Sequence, residues 1–247
     1  MKARAATLLV SLAAWTACAG NALLPESDRV SVDDQLASHA LYLKISCYVT
    51  PFFQENTAWL LTDRTPAVSD FMEPTEKERL IPEEPVGIFP VGTLLRVERI
   101  EWPTGLTMVG REAMTPRDCP WVYLRPAETG SVAAKLAQGK PFILVLRGDL
   151  RTRDEALTEI GRYLTSQNPM PELHNLSQSI LDAVDHKSLV AGMAPEQVQQ
   201  SWGYPERIHI DAPKRTQIWT WPTGKQQAWF QDELLVKWDD LGKPGGG

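Results

Sequence analysis

The sequence predicts an α+β protein in two units. An N-terminal unit of short strands comes first, and a smaller unit of two helices packed on an antiparallel sheet follows. Three observations predict this. Between 40 and 126, short apolar runs alternate with polar residues and are separated by turns containing Pro and Gly, as in a small β unit. From 152 to 189, apolar residues recur at helical spacing. Beyond Gly203, tryptophan-rich segments at 217–221 and 227–238 have the composition of strands.

The N-terminus reads as a targeting segment, residues 1–18. Met1-Lys2-Ala3-Arg4 is basic, and 5–17 is apolar with small residues, the layout of a secretory signal. Trp15-Thr16-Ala17-Cys18 resembles a bacterial lipobox, in which Cys18 is lipidated and becomes the mature N-terminus. The competing reading is plain secretion, with Ala17-Cys18-Ala19 as a small-x-small cleavage site. Residues 19–39 are small, polar and acidic after Leu24 and read as a flexible tether.

Either processing leaves Cys47 and Cys119. In an oxidising envelope two thiols suggest a disulfide; the alternative is two buried free thiols. Neither cysteine has a partner at metal-ligand spacing. Without Lys2 and Arg4 the chain keeps 23 basic against 31 acidic residues, a net charge of −8. It has no basic stripe, so nucleic acid is not expected as a partner. A polybasic membrane patch is also missing, so membrane attachment is expected to come from lipid.

The β unit is expected over 40–150. Residues 41–49 alternate, with Leu41, Leu43, Ile45 and Cys47 on one face and Tyr42, Lys44, Ser46 and Tyr48 on the other, as in one half-buried strand. Residues 64–90 hold five prolines and many carboxylates. Proline at that density excludes a central strand or a helix interior, so an acidic loop is expected, either a solvated insertion or a functional element. Strands are expected at 94–100, at 108–114 after the Pro103-Thr104-Gly105 turn, at 120–124, and in the apolar run 141–146.

A helix and linker are expected over 151–175. Thr152 and Glu155 form a capping box, Ala156, Leu157, Ile160 and Leu164 make the apolar face, and Asn168-Pro169-Met170-Pro171 links the units. The second unit spans 176–241. A helix at 176–189 presents Leu176, Ile180, Leu181 and Val184 on one face. Gly192-Met193-Ala194-Pro195-Glu196-Gln197-Val198 then opens a second helix. Pro195 suits its first turn, Val198 and Trp202 share a face, and Gly203 with Pro205 ends it. Residues 242–247 are expected to form a short flexible tail.

No catalytic constellation emerges. His39, His174, His186 and His209 share no metal-binding spacing. Asp185-His186 reads as part of a solvated helix face with Asp182 and Lys187. Arg147-Gly148-Asp149 reads as a turn from strand to helix, and no nucleophile elbow is present. No cofactor and no enzymatic activity are expected. The aromatic residues are the other candidate: Trp202, Trp219, Trp221, Trp229 and Trp238 all follow residue 200. Trp219 and Trp221 share a sheet face and are the candidate interaction surface, with Trp202 and Trp229 inside. The competing reading puts Trp202 and one strand face in the small unit's core.

Two resemblances follow from these residues. The Gly192–Val198 stretch with Trp202-Gly203-Tyr204-Pro205 resembles the repeated helix signature of the SmpA/OmlA (BamE-like) lipoprotein family, over roughly 176–240. This chain has Ala194 where the family usually has a capping Thr. The order strand, long loop, Pro90-Val91-Gly92-Thr93 turn, strand, turn and Trp121-Val122-Tyr123-Leu124 resembles a bacterial SH3-like small β-barrel, over roughly 40–126. Together they imply a non-enzymatic cell-envelope lipoprotein at the periplasmic face of the outer membrane. Its role would be a binding or scaffold module for envelope proteins or peptidoglycan. The alternative is a secreted or periplasmic proteinaceous inhibitor of a hydrolase, using acidic loop 70–84 as a plug.

Overall fold

The structure, a computed structural model, describes residues 24–241 apart from 54, 67–68, 70, 73–78 and 223–224. The protein is α+β. The first unit contains α1 (Glu26–Leu36), β1 (Ala40–Leu43), β2 (Cys47–Phe52), β3 (Glu55–Thr62), β4 (Phe71–Met72), β5 (Arg79–Leu80), β6 (Gly87–Phe89) and β7 (Leu94–Glu101). It continues with α2 (Gly105–Gly110), β8 (Trp121–Pro126), α3 (Val132–Ala137), β9 (Phe142–Val145), α4 (Arg153–Tyr163) and β10 (Leu164–Thr165). Then come α5 (Met170–Leu173), α6 (Gln178–Asp185), α7 (Pro195–Trp202) and the strands β11 (Arg207–Asp211), β12 (Thr216–Thr220), β13 (Gln226–Gln231) and β14 (Leu234–Asp240). Among the described residues, no helix is long and apolar enough to cross a membrane.

The first sheet runs β10-β1-β7-β8-β9-β3-β2-β6 and is antiparallel except for the parallel pair β3–β9. Its shape follows from one short connection. β1 and β2 stand five places apart in that order, about 24 Å in a flat sheet at about 4.8 Å per strand. Only residues 44–46 join them, a reach of at most about 14 Å. The sheet must therefore curl so that β1 and β2 approach each other. Beyond Leu94 the β1–β7 ladder runs on: Gly92 N–H donates to Leu43 O, and Leu43 N–H donates to Thr93 O, both at 2.9 Å. The single strand expected at 41–49 is thus two strands around a bend.

Successive buried residues of β8 and β9 alternate between two cores. Val122, Leu124, Phe142 and Leu144 join the core shared with α1, α3 and α4. Trp121, Tyr123, Ile143 and Val145 join an aromatic cluster with Phe52, Phe53 and Leu80. Both strands are covered on both faces, so they read as continuous apolar runs.

Several expectations are corrected. Residues 26–36, expected as tether, form α1. Val32 is wholly buried, Asp33 accepts from the Trp102 indole at 3.1 Å, and Arg153 N–H donates to Asp28 at 3.0 Å. Tertiary contacts, not propensity, hold this polar helix. Residues 105–110 are helix rather than strand, because Thr104 and Thr107 cap each other. Loop 64–90 contains β4, β5 and β6, although many of its carboxylates lie outside the described residues. The link at 168–171 runs into α5. Cys18 and residues 1–23 also lie outside the described residues.

In the second unit α6 and α7 pack on the four-stranded antiparallel sheet β11-β12-β13-β14. Pro195 opens α7, and Gln197 accepts from Ala194 N–H at 2.7 Å, which supplies half of a capping box without a Thr. Val198, Trp202, Trp219, Trp221, Ala228, Phe230 and Leu235 form the core. This corrects the candidate interaction surface: Trp219 and Trp221 are buried, packed edge to face or tilted on Trp202 and Phe230. Register explains it. Trp219 pairs with Ala228, so both face the helices, while Trp229 pairs with Ile218 on the outer face. There Lys237 Nζ lies 4.4 Å from the Trp229 ring.

Lys187 joins the two units. Expected on a solvated helix face, it is 2 % exposed, with φ of 51° just beyond α6. Its ammonium donates to Ser46 O at 2.6 Å and to Ser201 O at 2.5 Å, and lies 5.0 Å from the Tyr48 ring. Ser46 is wholly buried here, not on the polar face. Its hydroxyl donates to Val184 O and accepts from Val91 N–H, and its N–H donates to Gln200 O.

Candidate functional site

The best-formed cleft, about 520 Å³, opens beyond the carboxyl ends of β3 and β9. Two parallel strands deliver their following loops to the same side, and such ends commonly leave a crevice for ligands. β3 runs apolar through Leu61 and then contributes Thr62, Asp63 and Arg64. β9 likewise ends and contributes Arg147, Gly148 and Asp149. α4 supplies Glu159 and Tyr163, the approach to β8 supplies Asp118 and Cys119, and Ser69 with Phe71 covers the remaining side. The volume lies within the range of small-molecule sites, roughly 300–1,000 Å³.

The charges in this cleft are buried and only partly matched. Asp63 and Glu159 are each 6 % exposed. Glu159 faces Arg162 at 3.4 Å and Arg147 at 3.9 Å. Burial nonetheless holds its carboxyl above the usual range, with Arg162 and Arg147 pulling the other way. Burial, reinforced by Asp63, pushes the Tyr163 hydroxyl well above its ordinary value. Asp63 meets Arg64 Nε only at 3.7 Å. Arg64 Nε and Ser69 Oγ are buried without a hydrogen-bond partner among the described residues. Orphaned polar atoms of this kind cost stability in a finished core, and their natural complement is a ligand atom.

The cleft also touches the junction. Gly203 closes α7 with φ of +81°, and a Cβ there would collide with the Asp63 carboxylate. Glycine is required by conformation and by space alike.

The sequence-predicted site residues do not gather here. Cys47 and Cys119 are separate thiols rather than the expected disulfide. Cys47 is buried in the core on one side of the sheet and Cys119 in the aromatic cluster on the other, so the sheet itself stands between them. Burial raises the Cys47 thiol to about 12, which makes it inert. Only Cys119 lines the cleft. All four histidines are exposed and dispersed, and no group of metal-ligating side chains occurs among the described residues.

The cleft residues were missed because residues 55–62 were not read as a strand. The available signal was a charged pair, Asp63-Arg64, directly after an apolar run, matched by Arg147 directly after the run at 141–146. No protein-family model, no curated protein and no solved structure matches this chain.

Proposed function

We propose that this chain is a non-enzymatic cell-envelope lipoprotein, held at the outer membrane by lipid on Cys18, that works as a binding or scaffold module. The curled N-terminal sheet supports the SH3-like reading, although its parallel β3–β9 pair departs from an all-antiparallel barrel. The helix pair on a four-stranded antiparallel sheet supports the BamE-like reading. The observation that carries the proposal is the cleft's complement. Arg64 Nε and Ser69 Oγ offer donors that make no hydrogen bond among the described residues, beside the acceptors of Asp63 and Glu159. A ligand with a carbonyl or carboxylate next to an amine would satisfy both sets, and wall peptides carry that pair.

The test is calorimetric titration of the mature chain with soluble peptidoglycan fragments. Saturable binding is expected, weakened at least tenfold in Arg64→Met. Binding that is undiminished in Arg64→Met, or no binding by a folded wild type, refutes the cleft assignment. Palmitate labelling checks the anchor separately, and equal labelling of wild type and Cys18→Ala refutes it.

A further inference from the structure

The N-terminal end of the described chain and an exposed apolar turn lie side by side. Leu24 is buried and lines a small cavity with Trp102, Pro103 and Leu150. Pro103 immediately precedes Thr104, the N-cap of α2. α2 buries none of its residues, and Leu106 and Val109 are 90 % and 86 % exposed. Three positions apart, they share one helix face. Met114 beyond the helix is 40 % exposed. The capping box of Thr104 and Thr107 satisfies the first turn of this helix locally, so α2 holds its shape without burying Leu106 or Val109.

From these positions we propose that α2 is a membrane-contact element, with Leu106 and Val109 seated in the interface of the bilayer that holds the lipidated N-terminus. The inference rests on lipidation of Cys18. Six peptide steps separate Cys18 from Leu24, a reach of at most about 20 Å. A unit of this size is roughly 40 Å across, estimated from the scaling of the radius of gyration. The tether is therefore too short for the far side of the protein to reach the bilayer, and the Leu24–α2 side faces it. Apolar side chains projecting there have lipid as their apolar neighbour, and the acidic chain offers no basic patch to do this work. The cleft at the ends of β3 and β9 would then keep a fixed orientation relative to the membrane.

The experiment uses the full mature chain carrying an environment-sensitive fluorophore on Leu106→Cys, on Val109→Cys or, as a reference, on Val132→Cys, which is also exposed. Each protein is examined in two forms: processed and acylated in cells, then reconstituted, and unacylated but held by an N-terminal histidine tag. The vesicles contain phosphatidylethanolamine and phosphatidylglycerol, with a nickel-chelating lipid for the tagged form. Expected are a blue shift at 106 and 109 in both forms, and loss of that emission when brominated lipid is included. Position 132 should show neither. Absence of shift and quenching at 106 and 109 in vesicle-bound protein overturns the proposal. A shift in the reconstituted vesicles that brominated lipid does not quench also overturns it, since the occupant is then protein. If the cell-derived form proves unacylated, the lipoprotein reading fails, while the tagged form still reports whether α2 meets lipid.

Discussion

The junction at Lys187 and the cleft at Arg64 bury similar chemistry to opposite ends. At the junction the Lys187 ammonium takes two carbonyls and faces the Tyr48 ring, and Ser46 uses its N–H, carbonyl and hydroxyl. In the cleft Arg64 Nε and Ser69 Oγ make no hydrogen bond among the described residues, and Glu159 is held above its ordinary pKa. Burial alone does not mark function, since both regions are buried. Satisfaction separates them: completed polar networks fix geometry, and incomplete ones leave capacity for a ligand.

Lys187→Met gives the largest expected effect on that contrast. It strands two buried carbonyls, Ser46 O and Ser201 O, at a cost of about 2–5 kcal/mol. Urea unfolding of the variant checks this, and a loss below about 1 kcal/mol would mean that the junction is not the completed network described.

A smaller effect is expected with pH. Burial lowers the Lys187 ammonium from 10.5 to about 8. Between those values the unfolded chain holds more protons than the folded one, so this residue's contribution to stability rises with pH across that window. Below about 8 both states are protonated and the full cost of burying the charge is present. Denaturation midpoints measured across the window should rise more in wild type than in Lys187→Met; parallel curves would contradict the assignment.

The smallest effect on stability belongs to the cleft. Ser69→Ala removes a hydroxyl with no partner to lose, so the change should stay within about 0.5 kcal/mol. Ligand binding should weaken in the same protein. A destabilisation comparable to that of Lys187→Met would turn the cleft into a second structural network.

Much of the second unit was legible in the sequence, and so was α4 of the first. Pro195, Val198, Trp202 and Gly203 carry their positions in local spacing, and Thr152 with Glu155 announces its own cap. Local signals survive folding because they are satisfied within one turn. The tryptophan faces were not legible, because Trp219 and Trp229 are assigned inside or outside only by cross-strand register. α1 was not legible either: its single wholly buried residue, Val32, and its bonds to Trp102 and Arg153 come from distant segments. The cleft failed for the same reason. Asp63, Arg147 and Glu159 meet through the parallel pairing of β3 with β9, which no short window of sequence displays.

That parallel pairing also sets an order of events in time. Trp59 cannot find Phe142, nor Leu43 find Leu164, until the chain has emerged far beyond β8. Until then β3 presents an open row of amides and carbonyls, the kind of edge on which chains associate wrongly. Completion of the curled sheet is a late, non-local step and therefore a slow one. A chain that emerges N-terminus first, from a ribosome or across a membrane, carries an unfinished sheet for most of its passage. The period of greatest vulnerability is thus written into the distance between two strands, and a chaperone acting on this protein would have its work there.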